Sequence, residues 1–492
     1  MGAISVKKNV RQHSCEIDNI EELKEIAIRY AKVKDYVFSR YSGINSLPIL
    51  NKYKSEIRDK WTDKAAKKFN EANPNGPQKA GFAKQWKLPS RYWKLALDEA
   101  ISNIKAEWSN IKNRVKEAVM KNENLTQDEK AFMCYILKTE SIFNSIILRK
   151  EYVRPKSVAK LEIREKYVHN LIRRYVRKYK GAIPFSKKKR SFEIDANLYE
   201  YKLTDKGLFI EISGLTPRKR ISIKLRDNKI HKGNLRVVVV DDSRVEINRC
   251  KDVKVNVRYD ADTETILAID KGYTSLFATN TDKEYGVKLG TMLTTETERL
   301  FEYNKKRTAI WQLIDKYEKA QNFEKAERIR RNNFGRIKYN RLKNKFDERT
   351  KSYINHSIYE MLDKENPSII VLESLTFQSW HKKLTKGVKR KLSRWTKGYI
   401  QERLEYIAST RGIKVVNINP AYTSQICYKC GSFGKRDGKK FECQYCGVID
   451  ADINAAHNIE HRYLDSEITL YTPYVKVKEI LLKRQNQKQL VI

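Results

Sequence analysis

Two cysteine pairs, Cys427-x2-Cys430 and Cys443-x2-Cys446, constrain this chain more than any other feature. Each pair puts two thiolates on one tight turn, and the twelve residues between the pairs are enough to close a ribbon. Four thiolates in tetrahedral arrangement suit one Zn²⁺ ion and leave no open coordination position, so such an ion is structural. A disulfide or a metal-free knuckle is the alternative, and a basic intracellular chain favours metal. Cys15, Cys134 and Cys250 are scattered and read as core thiols without chemistry.

At 492 residues the chain is too long for one compact core, and two to four domains are expected. It carries 101 Lys and Arg against 60 Asp and Glu, a formal charge of +41. Self-repulsion on that scale calls for a polyanion. Nucleic acid fits best, because phosphate contacts by Lys and Arg release counterions; a membrane surface is the rival. No apolar run approaches the roughly 18–20 residues needed to span a bilayer. The start, "MGAISVKKNV", lacks the apolar core of a signal peptide, and Val6 stands where a myristoylation signal needs Ser or Thr. The expectation is a soluble, cytoplasmic, nucleoid-associated protein without a membrane partner.

The N-terminal third has helical periodicity. After Pro89 and an expected N-cap at Ser90, the residues Trp93, Leu97, Ile101, Ile104, Trp108, Ile111, Val115 and Val119 recur at three- and four-residue steps. That stripe reads as core, and a further helical run follows through "LTQDEKAFMCYILKTESIFNSIILRK". Residues 164–190 mix tyrosines with cations and end in Lys187, Lys188, Lys189 and Arg190. They read as an RNA-backbone surface or as a solvated basic helix and linker. From about 191 to 260 the stretches "GLFIEISG", "RISIKL", "NLRVVVVDD" and "DVKVNVRYD" predict strands of a small sheet or barrel.

From 263 the order strand, hairpin, helix, strand, helix, strand predicts a mixed α/β sheet. Asp270 ends the apolar run "TILAID", Glu373 ends "SIIVLE", and Asp452 opens "DINAAHNI" just past the cysteines. Carboxylates at the ends of buried parallel strands emerge at the rim where ligands bind. Beside hydrophobic strands they need a cation, and three converging acids make an oxygen-rich site for Mg²⁺ or Mn²⁺. A basic loop with Lys382, Lys383, Lys386, Lys389, Arg390 and Arg394 follows Glu373; it guides a nucleic-acid strand or is simply a solvated loop.

Together, "AIDKG", "VLESL", "YTSQICYKCG…FECQYCG" and "DINAAHNI" resemble the RuvC nuclease domain of TnpB proteins and of the compact type V CRISPR effectors. The resemblance covers 263–461 and is looser upstream, over "LPSRYWKLALDEAISNIKAEW". It implies a multidomain α+β chain. Residues 1–20 would give the first strands of a wedge domain, 21–180 a helical recognition domain, and 181–262 the β-rich, barrel-like wedge. Residues 263–425 would form an RNase H-like RuvC domain, 426–447 its inserted zinc ribbon, and 448–492 the final RuvC motif and tail.

The resemblance also implies a catalytic triad of Asp270, Glu373 and Asp452 holding two Mg²⁺ or Mn²⁺ ions, with Arg436 near the scissile phosphate. Asp450 does not match the family's acid. Lys271 departs from the apolar middle residue usual in the first motif, and either sits beside the ions or points away. The implied function is an RNA-guided DNA endonuclease with guide RNA and target double-stranded DNA as partners, as monomer or homodimer. A non-cutting binder of the same fold and a protein-only resolvase or transposase are the rival readings.

Overall fold

The computed structural model describes residues 2–489 apart from 51, 53, 259–264, 336 and 375–396. Contacts divide the chain into two compact units, 7–252 and 1–6 with 253–492. Among the described residues, no single helix is long and apolar enough to cross a membrane.

The first unit joins helices to a seven-stranded sheet. Strand β1 (Ala3–Ile17) leads into helix α1 (Ile20–Tyr41). After short helical segments come α2 (Ser90–Met120), α3 (Gln127–Lys138), α4 (Glu140–Leu148) and α5 (Glu165–Tyr179). The strands β2 (Ser191–Ile194), β3 (Tyr199–Thr204), β4 (Gly207–Ser213), β5 (Arg220–Leu225), β6 (Leu235–Val239) and β7 (Val245–Asn256) complete it. The sheet order is β2-β6-β7-β1-β5-β4-β3.

All eight residues of the α2 stripe are buried, each apolar side chain of that size worth about 1.5–3 kcal/mol of transfer free energy. The N-cap of α2 is Pro89, not Ser90, and no side chain caps it. The second helical run breaks at Thr139 into α3 and α4, bent by 101°. Thr126 caps α3 in a capping box with Glu129, whose carboxylate also receives Arg164 at 2.7 Å. Buried Glu99 on α2 accepts from Tyr30 and Lys34 of α1 and pairs with Arg236 of β6, tying helices to sheet. Cys15 and Cys250 are exposed, because both fall on outward positions of polar strands, so they are not the core thiols expected.

The second unit is built on a five-stranded sheet of β8 (Ile266–Lys271), β9 (Phe277–Thr279), β10 (Glu284–Tyr285), β11 (Ile369–Glu373) and β12 (Lys414–Ile418). Its order is β10-β9-β8-β11-β12. Strands β8, β11 and β12 run parallel, and β9 and β10 return antiparallel as the hairpin. Three helices, α6 (Leu289–Lys319), α7 (Phe323–Asn333) and α8 (Ile337–Glu365), separate β10 from β11, and α9 (Lys397–Thr410) precedes β12.

Strands β8 and β11 are apolar on both faces, as a sheet covered on both sides requires, while edge strand β12 carries exposed Lys414 and Asn417. Leu267, Ile269, Ile370 and Leu372 pack with Ile358, Met361, Leu404 and Ile407 of α8 and α9. Ala268, Ile369, Val371 and Ile418 pack on the other face with Ile459. Gly412, at φ +72°, makes the turn into β12; a Cβ there would lie 2.0 Å from the Asn256 carbonyl oxygen. The strands β13 (Lys435–Asp437), β14 (Lys440–Cys443) and β15 (Gly447–Asp450) form a separate small sheet. It feeds directly into α10 (Ala451–Leu464), and α11 (Tyr474–Gln489) closes the unit.

Candidate active site at the sheet edge

Parallel pairing aligns Ile269 with Leu372, so the next step along both strands sets Asp270 beside Glu373 at their C-terminal ends. By strand alternation Asp270 shares its face with Ala268, the face against which Ile459 of α10 packs. Asp452 stands in the first turn of that helix and is buried. Desolvation, and after it the charges of Glu373 and Asp452, push the Asp270 carboxyl up to about 8. Arg436 and the Lys271 backbone N–H oppose them. The charges of Glu373 and Asp452 thus both reach Asp270.

Each acid is held by its surroundings. The Thr423 hydroxyl donates to Glu373. Arg436 donates from Nη2 to Asp452 Oδ1 at 2.5 Å. Asp450 is the N-cap of α10, accepting from the backbone N–H of Asp452 at 2.9 Å and of Ile453 at 3.0 Å. Among the described residues, carboxylate oxygens of Glu284, Asp450 and Asp452 lie within 4.8 Å of one another, a group that does not include Asp270 or Glu373. Glu284, on the hairpin strand β10, was not singled out from the sequence; a strand of two residues leaves no periodic signal.

Lys271 turns to the opposite face. It is buried and its ammonium donates to Gln401 of α9.

The four cysteine Sγ atoms also lie within 4.8 Å of one another. Gly431 N–H donates to Cys427 O at 2.7 Å and Cys427 N–H to Ser432 O at 2.9 Å, closing the first turn. Gly431 takes φ +79° there, a conformation glycine adopts without steric cost. Cys443 pairs with Gly447 across β14 and β15, and fully buried Phe441 packs among Cys427, Cys443 and Ala451. Four convergent thiols on this frame fit one structural zinc.

Helix α10 fastens this ribbon to the sheet. Asn454 accepts from Tyr428 N–H and donates to Ile426 O at 2.8 Å. Asn458 donates to Thr423 O and Ile426 O, and Arg462 to Asn419 O and Ala421 O. These three residues, four apart on one helix face, satisfy the backbone of 419–428. The sequence signal was the pair of asparagines among the alanines of "DINAAHNI".

Lys187, Lys188, Lys189 and Arg190 are exposed in the segment before β2, and Arg190 donates to Val240 O. They belong to the unit 7–252. Lys382, Lys383, Lys386, Lys389, Arg390 and Arg394 lie outside the described residues.

The second unit thus presents an acidic site with metal-binding capacity on a mixed α/β sheet, beside a four-cysteine ribbon. Residues 398–459 match the family model described as Cas12f1-like, TNB domain. A CRISPR-associated endodeoxyribonuclease Cas12f1 of Sulfoacidibacillus thermotolerans is 36% identical over 127 residues, covering 25% of this chain and 29% of that protein. A TnpB-like protein of Aquifex aeolicus is 37% identical over 102 residues, covering 20% of this chain and 33% of its own length. The chain thus spans about a third or less of each of these relatives. Among solved structures, the mini-RNA-guided endonuclease CRISPR-Cas_phi3 aligns over 94% of this chain and 93% of its own, at 12% identity and TM-score 0.46. Over its C-terminal region, this chain is similar to Cas12f1 and TnpB-like proteins.

Proposed function

We propose that this chain is an RNA-guided DNA endonuclease that hydrolyses phosphodiesters at a RuvC-type site. The observation that carries this reading is the convergence of Asp270, Glu373 and Asp452 at one sheet edge, from three distant parts of the sequence. The relatives this chain resembles, a CRISPR-associated endodeoxyribonuclease among them, support the same reaction class. The formal charge of +41 supports a nucleic-acid partner of large surface, guide RNA and target double-stranded DNA.

The triad carboxylates would hold two Mg²⁺ or Mn²⁺ ions, and the excess of negative charge around Asp270 fits that donor set. Bound ions of this kind activate water and stabilise the leaving oxygen. The protein's own part is to fix the oxygens: Thr423 orients Glu373, the Asp450 cap fixes the backbone of Asp452, and Asn454 and Asn458 hold the ribbon against α10. Arg436 stands at the rim beside Asp452, where a strand's phosphate would approach. The ribbon, closed by four thiols, serves structure.

In this reading the sheet of β8–β12 with α10 is an RNase H-like domain, supported by its three parallel strands and reversed hairpin. The helices of 21–180 form the recognition domain, and 181–262 with the first strand the wedge. Residues 263–425, 426–447 and 448–492 are RuvC domain, zinc ribbon, and final motif with tail.

RNA that co-purifies with the protein should be sequenced, and cutting assayed before and after its complete removal. A defined scaffold with a variable segment, and cutting that needs it, is the expected result. Cleavage that survives RNA removal would sink the guided reading.

A further inference from the structure

We propose that Arg436 and Lys439, two cations on one ribbon hairpin, set how tightly the acids at the sheet edge bind divalent ions. This rests on the two-ion reading above. Arg436 lies on β13 and Lys439 in the turn that leads into β14. Arg436 Nη2 stands 2.5 Å from Asp452 Oδ1, and Lys439 Nζ stands 2.6 Å from a Glu284 carboxylate oxygen. Asp452 and Glu284 belong to one group of carboxylates with Asp450, so the hairpin grips that group at two points.

Both cations are held in place. The Lys439 carbonyl accepts from Ala451 N–H at 2.8 Å, fixing the turn at the start of α10. Arg436 Nε donates to Gly438 O at 3.2 Å, and Arg436 pairs with Phe441 across the hairpin. The ammonium of Lys439 is stabilised by its bond to Glu284 and by the fields of Asp450 and Asp452. The charge of Arg436 reaches Asp270 as well.

A divalent ion and these side chains want the same thing, the negative charge of the acid group. Arg436 competes directly, because it occupies an oxygen of Asp452. Lys439 competes through Glu284 and through its field, so its effect is the smaller. Groups just outside the ligands commonly tune metal affinity in this way. Lys271, next to Asp270 in sequence, bonds instead to Gln401 on the opposite sheet face.

The test is Mn²⁺ binding to the full-length, zinc-loaded protein, followed by electron paramagnetic resonance of the free ion. Arg436→Gln should bind Mn²⁺ about tenfold tighter than the parent protein, and Lys439→Gln on the order of threefold tighter. Arg436→Lys, which keeps the charge, should stay within about twofold of the parent. Zinc content and the melting curve show in each case that the ribbon is intact. Gln variants that bind Mn²⁺ no tighter than the parent, with full zinc, overturn the inference. Asp270→Ala separates this from failure of the metal reading: it should lose Mn²⁺, and unchanged binding there overturns the two-ion site itself.

Discussion

Asn458 donates from Nδ2 to the carbonyl of Ile426 at 2.8 Å, across 32 positions of sequence. Ile426 directly precedes the first cysteine, so one side-chain amide joins the ribbon's entrance to the helix that carries Asp452. Asn458→Ala removes this bond and the one to Thr423 O, leaving the Ile426 carbonyl with only its Asn454 donor and taking the side-chain donor from Thr423 O. A loss of about 1–3 kcal/mol is expected. Calorimetry should record a lower melting temperature at unchanged zinc content; an unaltered transition would mean the amide is dispensable.

If the proposed triad is right, Asp270→Ala and Asp452→Ala should each abolish Mg²⁺-dependent cutting while DNA and RNA binding stay near that of the parent. Gel-shift and cleavage assays on the same preparations decide it. Persistent cutting by either variant contradicts the triad.

Lys271→Met should behave differently. Its ammonium bonds Gln401 on the far face, so the change costs on the order of 1 kcal/mol of stability and leaves Mn²⁺ affinity as it was. A Mn²⁺ titration that shifts markedly would place the lysine's influence on the acids after all.

Much of the candidate site was legible because its signals are local. Two CxxC pairs and three acids at the ends of apolar runs need no tertiary knowledge to be noticed. Glu284 and Lys439 were not, because their relation to Asp452 is made by a short hairpin and a turn that carry no periodicity. Strand β1 was hard to place for a different reason. Its inward positions include Gln12 and Ser14, both buried, which read as polar surface in the sequence. Their partners, Asp227 and the Val245 N–H, lie more than two hundred residues away. The orientation of Lys271 became decidable only once β8 was known to be covered on both faces.

In the other unit, Arg164 and the N–H groups of the α3 capping box hold the Glu129 carboxyl down to about 2, from an ordinary value of 4.5. A depressed folded value contributes stability that is complete above about pH 4.5 and is lost as pH falls towards 2. Glu129→Gln should therefore be less stable than the parent at neutral pH, by about 1–3 kcal/mol. The two should converge in denaturant melts taken between pH 4.5 and 2. A gap that stays constant over that window would rule out the ion pair as its source.

Chelation of zinc should unfold the ribbon, whose metal contributes on the order of 10 kcal/mol in comparable small domains. Cutting should fall with zinc content and return on adding the metal back. Cutting indifferent to zinc would uncouple ribbon and acids.

The parallel pairing of β8 with β11, and the late arrival of α10, carry a consequence for synthesis. A ribosome makes Asp270 long before Glu373, and Asp452 later still, so the three acids meet only when almost all of this sequence has emerged. On the reading proposed above, the basic first unit would be made ready to meet a polyanion before the chain has an assembled centre with which to cut it.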